Sequence, residues 1–234
     1  MTQPVALVTG ASRGLGLALA AGLAARGWGL VIDARDGATL EHAHRLLPSS
    51  VVALPGDVTD AGHREQLLRA ADELGDLRLL VNNASTLGVS PLRTLATYPL
   101  DQLSHVFAVN VVAPLALIQA ALPRLRTTGG AIVNVTSDAA VEAYSGWGGY
   151  GLSKAALEQA SHVLSVEEPD VRVWWVDPGD LRTEMHQAAF PGEDISDRPL
   201  PETVVPAFLR LLEARPLSGR HRLADLLQPA GTSA

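Results

Sequence analysis

The sequence predicts an α/β protein: a doubly wound parallel sheet of six to seven strands with helices on both faces. Three observations carry this. Short β-type runs are nearly continuous in apolar residues instead of alternating, as expected of strands covered on both sides. Longer amphipathic stretches separate them in a repeating strand-then-helix order. A glycine-rich turn follows the first run directly.

The runs are VALVT (5–9), GLVID (29–33), VVALP (51–55), LRLLVN (77–82), AIVNVTS (131–137) and VRVWWVD (171–177). Candidate helices lie between and after them near 14–26, 38–47, 60–74, 101–126, 150–168 and 202–214. A seventh strand near 217–224 is weakly indicated, because PLSGRHRLA has little β character. No Pro/Gly/Ser linker divides the chain and no internal repeat is visible, so residues 1–234 are expected to form a single domain. Residues 184–200, EMHQAAFPGEDISDRPL, lack clear periodicity and are expected to form a long loop or lid, and the tail 228–234 to fray.

Composition narrows the function. The chain is 47% hydrophobic and 18% charged, enough apolar material for a core. A net charge of −7 argues against a nucleic-acid surface, which needs clustered Lys and Arg. The lack of cysteine excludes disulfides and thiolate chemistry. No histidine has metal-ligand spacing with carboxylates, so no metal is expected and the histidines are read as structural or surface groups. The N-terminus has no signal-peptide pattern and no apolar run approaches a membrane span, so a soluble cytoplasmic protein without a membrane partner is expected.

The first strand runs into TGASRGLG, with Gly10, Gly14 and Gly16 ahead of a helical stretch. Glycines at a strand-to-helix turn let the backbone approach a pyrophosphate, whose charge is favoured at the helix N-terminus. This is the arrangement of a Rossmann-type nucleotide site. The second strand ends LVIDARD. A carboxylate there, Asp33, would bind the ribose 2′-OH of NAD, whereas Arg35, helped by Arg13 in the glycine loop, would accept the 2′-phosphate of NADP. Two guanidiniums favour NADP(H), and NAD(H) stays possible.

With these motifs in order, the sequence resembles the short-chain dehydrogenase/reductase family, in its short single-domain branch, from about Val5 to Thr183. TGASRGLG matches the family's T-G-x-x-x-G-x-G loop, and Asp57–Val58 its D-V pair at adenine. NNAS (82–85) matches N-N-A-G, with Ser85 in place of glycine; Asn110 matches the helix asparagine. Ser137, Tyr150 and Lys154 match S…Y-x-x-x-K, and Pro178, Gly179 and Thr183 match P-G-x-x-x-T. The resemblance implies cofactor contacts from Gly10, Ser12, Arg13, Gly14, Leu15, Gly16, Arg35, Asp57, Val58, Asn83, Ala84, Tyr150, Lys154, Pro178, Gly179 and Thr183. Its register puts Ala34 where NAD-using members carry the acidic residue and Arg35 where NADP-using members often carry arginine. It also implies that Lys154 bonds the nicotinamide ribose, that Asn110 anchors a relay water, and that the chain forms a homodimer or homotetramer through its 101–126 and 150–168 helices.

Tyr150 and Lys154 are four apart and share a helix face, whereas Tyr144 lies ten before Lys154. A nearby ammonium is expected to lower the tyrosine pKa, making Tyr150 a general acid or base toward a carbonyl or alcohol. Ser137, at a strand end, would hydrogen-bond the substrate oxygen. Hydride passes directly between nicotinamide and a small carbonyl or hydroxyl substrate, which needs no metal. A cofactor-binding sensor without catalysis is the alternative from another class. Tyr144, Trp147, the 138–144 and 87–90 segments and the 184–200 loop are expected to wall the substrate pocket, and Gly151 to admit a cofactor or a neighbouring backbone.

Overall fold

The computed structural model describes residues 3–48 and 50–227. The expected tail, 228–234, lies outside the described residues. Among the described residues, seven parallel strands form one sheet: β1 (Pro4–Val8), β2 (Gly29–Ala34), β3 (Val51–Pro55), β4 (Asp76–Asn82), β5 (Ala131–Val135), β6 (Arg172–Asp177) and β7 (Gly219–Arg222). Their spatial order is β3-β2-β1-β4-β5-β6-β7. The chain therefore reverses direction across the sheet between β1 and β4, which opens a crevice at the strands' carboxyl ends.

Alternate residues of strands β1 to β6 feed two cores. Ala6 and Val8 of β1 pack with Leu19, Leu23, Trp174, Phe208 and Leu211, on the face covered by α1 (Gly14–Ala24) and α8 (Val205–Ala214). Val5 and Leu7 pack with Leu67, Leu68, Leu117 and Ile118, on the face of α3 (Ala61–Leu74) and α5 (Ala113–Thr128). This two-sided burial is why the strands read as unbroken apolar runs. Each fully buried large aliphatic or aromatic side chain contributes about 1.5–3 kcal/mol of transfer free energy.

Asp36 caps α2 (Gly37–Arg45) by accepting from the Thr39 amide, and Asp60 caps α3 by accepting from the His63 amide. The stretch expected as one helix over 101–126 is α4 (Leu100–Phe107), a π turn (Ala108–Val112) and α5. Pro114 lies four residues after Asn110 and has no N–H to return to the Asn110 carbonyl, so an α-helical ladder is interrupted there. The 29-residue segment Leu100–Thr128 contains an 18-residue window with a mean hydropathy of 1.9, long and apolar enough to cross a membrane by those measures alone. Here Leu117, Ile118, Ala121 and Leu125 are spent on the sheet, as in a core helix.

Two sequence expectations need correction. Residues 184–200 are not all loop, because Glu184–Ala189 form α7, started by Thr183, whose hydroxyl accepts from the His186 amide. The expected helix over 150–168 begins earlier: α6 spans Gly148–Glu167. Its glycines are dictated by packing. A Cβ on Gly149 would lie 2.3 Å from the Tyr98 ring, and one on Gly151 2.5 Å from the Ala139 carbonyl oxygen. A close neighbouring backbone, not a cofactor, meets Gly151. The weakly indicated strand is real: Trp174 to Asp177 of β6 pair with Gly219 to Arg222 of β7. The last short helix is α9 (Leu223–Leu227).

Candidate active site

A cavity of about 950 Å³ runs along the carboxyl ends of the strands. Every residue expected to touch a dinucleotide lines it, from Arg35, Asp57 and Val58 at one end, through the Gly10–Gly16 loop, to Asn83, Ala84, Pro178, Gly179 and Thr183. Ser137, Tyr150 and Lys154 line it too; Asn110 does not.

The glycine loop is fastened from both sides. Asn83 donates from Nδ2 to the Thr9 carbonyl at 2.8 Å and to the Gly10 carbonyl at 3.1 Å. The Thr9 hydroxyl accepts from the Asn83 and Ala84 amides. A Cβ at Gly16 would lie 2.4 Å from the Gly10 carbonyl oxygen, so only glycine permits the turn. The first amides of α1 have no intrahelical acceptor and face the groove, a ready anion site. These residues fit a pyrophosphate. Asn82 serves the core instead, donating to Asn134 at 2.8 Å, which donates in turn to Ser161.

At the end of β2, Asp33 is turned inward and fully buried. Its Oδ1 accepts from the Gly10 amide at 2.8 Å and its Oδ2 lies 3.0 Å from Nε2 of the buried His63. Burial raises the Asp33 carboxyl above the usual carboxylate range, against the pull of His63 and the Gly10 amide. Asp33 thus organises the loop and has both oxygens engaged. Sequence reading missed His63 as its partner, since the contact joins positions 30 apart. Arg13 forms an exposed ion pair with Glu184, the first residue of α7.

Tyr150 and Lys154 project from the first turns of α6. Both are buried, and the Lys154 Nζ stands 5.5 Å from the Tyr150 ring centroid. Lys154 donates to the Val135 carbonyl at 2.7 Å. Burial pulls its ammonium down to about 8, with Glu158 acting in the opposite sense. The expected lowering of the tyrosine is reversed here. Burial drives the Tyr150 phenol well above its ordinary value, and the Asp138 and Asp177 carboxylates add to this, while Ser85 and Ser137 pull it down. A phenol in these surroundings keeps its proton at neutral pH. The Ser137 hydroxyl donates to Asp138 Oδ1 at 2.9 Å, so serving a substrate oxygen means exchanging one acceptor for another.

Asn110 stands behind this group. Its Oδ1 accepts from the Thr86 amide and the Ser85 hydroxyl, and its Nδ2 donates to the Thr86 carbonyl and Ser153 Oγ. Those four bonds exhaust the side-chain amide, so a relay water has only the main-chain carbonyl to use.

The substrate end is walled by rings. Trp147 meets Tyr150 edge-on at 5.8 Å and Phe190 at 6.0 Å, and His186 packs on Phe190 at 5.1 Å. Leu87, Ala139 and Met185 join this cluster. Tyr144 is half exposed at the rim, donating to Asp138 and Glu142, whose hydrogen bonds push its phenol up to about 12.

The comparisons with known proteins agree with this geometry. The profile of the short chain dehydrogenases matches residues 4–194. The chain is 36% identical over 201 residues to a sepiapterin reductase of Rattus norvegicus, covering 79% of this chain and 77% of that one. A putative short chain dehydrogenase from Pseudomonas syringae superposes with a TM-score of 0.86 at 31% identity, covering 94% of this chain and 93% of that one. An alcohol dehydrogenase from Thermococcus sibiricus, complexed with 5-hydroxy-NADP, superposes with a TM-score of 0.83 at 27% identity, covering 98% and 100%. The glycine loop, the Ser137–Tyr150–Lys154 set and these matches converge: this chain belongs to the short-chain dehydrogenase family, whose members are NAD(P)-dependent oxidoreductases.

Proposed function

We propose that the chain is an NADP(H)-dependent carbonyl reductase or alcohol dehydrogenase acting on a small substrate with an apolar or ring-bearing body. The observation that carries this is the buried Tyr150, held protonated beside Ser137 and Lys154 on the wall of a dinucleotide-sized groove.

Bound cofactor supplies a hydride from nicotinamide C4 to the substrate carbonyl carbon, or accepts it in the reverse direction. Tyr150 gives its phenolic proton to the carbonyl oxygen during reduction. Ser137 turns its hydroxyl from Asp138 to that oxygen and stabilises the charge developing there. Lys154 lies behind Tyr150 as the next group able to hand on a proton, and on the groove wall it would hold the nicotinamide ribose of a bound cofactor. The main-chain carbonyl of Asn110 offers the place for a relay water. Trp147 and Phe190 press a flat or apolar group against the reacting edge.

Arg35 and Arg13 support NADP(H) over NAD(H), because both line the groove near the β2 end while the Asp33 carboxylate is engaged elsewhere. Taking up the 2′-phosphate means Arg13 exchanges Glu184 for a stronger, dianionic partner. The rat relative is a sepiapterin reductase and the Thermococcus structure holds an NADP-type ligand, both in keeping with this reading. Exposed Leu100, Val112, Leu152, Val163 and Val166 on α4, the π turn and α6 support a homo-oligomer built on those helices.

Parallel fluorescence titrations with NADPH and NADH, followed by a carbonyl and alcohol panel at the nicotinamide absorbance, test the reading. It predicts at least about tenfold tighter NADPH binding, equivalent to about 1.4 kcal/mol, and turnover of ring-bearing ketones or aldehydes. Equal affinities would overturn the cofactor assignment, and no turnover across the panel would favour the sensor.

A further inference from the structure

Behind the catalytic group lies a charged network from the C-terminal strand. Arg220 of β7 donates from Nε to Glu158 Oε1 at 3.0 Å, and from one terminal nitrogen to Asp177 Oδ2 at 3.1 Å and to the Ser137 carbonyl at 3.2 Å. Glu158 is one helical turn beyond Lys154 on α6, and its Oε1 also accepts from the Thr136 hydroxyl at 2.7 Å. Asp177 ends β6, and its Oδ1 accepts from the Gly179 amide at 2.9 Å. Glu158 and Asp177 are largely buried, so their charges are poorly screened by water.

We propose that Arg220 is a positioning residue for the reaction: it fixes the backbone of Ser137 and cancels the two carboxylates that stand behind Lys154 and Tyr150. The inference rests on the reading of Tyr150 and Lys154 given above. The charged groups in play come from every element around the site. Lys154 and Glu158 lie on α6, Asp138 follows β5, and Asp177 ends β6. On β7, Arg222 lies 3.9 Å from Asp177 at the exposed margin, while His221 projects to the opposite face of the strand. Glu158 favours the charged form of Lys154, and Asp138 and Asp177 favour the neutral form of Tyr150. Without Arg220, the fields of Glu158 and Asp177 act in full, and both catalytic groups keep their protons to higher pH.

The test is the pH profile of kcat/KM for alcohol oxidation, with cofactor affinity measured in parallel, in wild type, Arg220→Gln, Arg220→Lys and Glu158→Gln. Oxidation needs the catalytic base deprotonated, so its rate rises through an alkaline limb. Arg220→Gln is expected to move that limb up by about one pH unit, a loss of about tenfold on its acid side. Arg220→Lys, which keeps the charge but not the planar fork, lowers kcat while leaving the limb in place. Glu158→Gln moves the limb down and decides the matter should Arg220→Gln fail to fold. A uniform loss of rate with an unmoved limb in Arg220→Gln, or no movement in Glu158→Gln, overturns the proposal. If Tyr150→Phe keeps the same limb, the reading of the site fails instead, whatever Arg220 does.

Discussion

The ends of β2 and β6 carry the same device with different chemistry. Each carries near its carboxyl end a buried aspartate that takes a glycine amide on Oδ1 and a side-chain nitrogen on Oδ2. Asp33 holds Gly10 and His63 at 2.8 and 3.0 Å; Asp177 holds Gly179 and Arg220 at 2.9 and 3.1 Å. Both glycines belong to groove loops, one at the pyrophosphate turn and one in the Pro178–Gly179 segment. The partners differ in kind. Histidine can lose its charge and stay hydrogen-bonded, whereas arginine stays charged at any accessible pH. The β6 corner therefore fixes a positive charge beside the proposed catalytic group, while the β2 corner holds an imidazole hydrogen bond.

Removing each aspartate separates the two most strongly. Asp177→Ala strands a guanidinium that cannot neutralise itself and is expected to cost about 3 kcal/mol, the low end for a broken buried pair because Glu158 remains. Asp33→Ala leaves the Gly10 amide and His63 Nε2 without their acceptor, a cost of about 1–2 kcal/mol. Urea denaturation of both variants checks the order, and a larger loss from Asp33→Ala would break the comparison.

Lys154, next to the β6 corner, gives the next effect. Its folded value of about 8 lies below the ordinary 10.5, so the unfolded chain binds more protons between those pH values and stability rises with pH across that window. Below about pH 8 the buried ammonium costs on the order of 3 kcal/mol. Lys154→Met loses the bond to the Val135 carbonyl, worth about 1 kcal/mol. It should therefore be more stable than wild type by about 2 kcal/mol at pH 7, and the gain should vanish toward pH 10.5. Thermal unfolding of both proteins across pH 7–10 follows it.

The smallest contrast is steric. A Cβ at Gly56 would sit 2.2 Å from His63 Nδ1, whereas one at Gly179 meets nothing within 4 Å and only the strain of φ +75°. Gly56→Ala should cost about 1–3 kcal/mol by displacing the His63 ring, and Gly179→Ala about 1 kcal/mol. The same denaturation assay orders them.

The two corners also mark where the sequence was legible. The strands of the sheet centre, the glycine loop and the Tyr150–Lys154 spacing were visible because each depends on local pattern or on a short fixed interval. Ser137 was visible as a polar residue closing an apolar run, although the strand itself stops two residues earlier, at Val135. The Asp33–His63 pair was not, because it joins two helix-and-strand units, and Asp33 invited a different role as a ribose ligand. Strand β7 was faint because GRHR offers no apolar residue. Its Arg220 meets carboxylates on other elements, 43 and 62 positions away, so only the tertiary structure explains it. The direction of the Tyr150 shift was misjudged for the same reason: spacing gives a neighbouring lysine but not the burial that dominates.

Single-turnover reduction of a ring-bearing ketone by NADPH, comparing wild type with Tyr150→Phe, tests the central claim most directly. The phenol is the proton donor in this account, so the variant should bind NADPH within about threefold of wild type yet transfer hydride about a hundred- to ten-thousand-fold more slowly. A variant that reduces the ketone at the wild-type rate would contradict it.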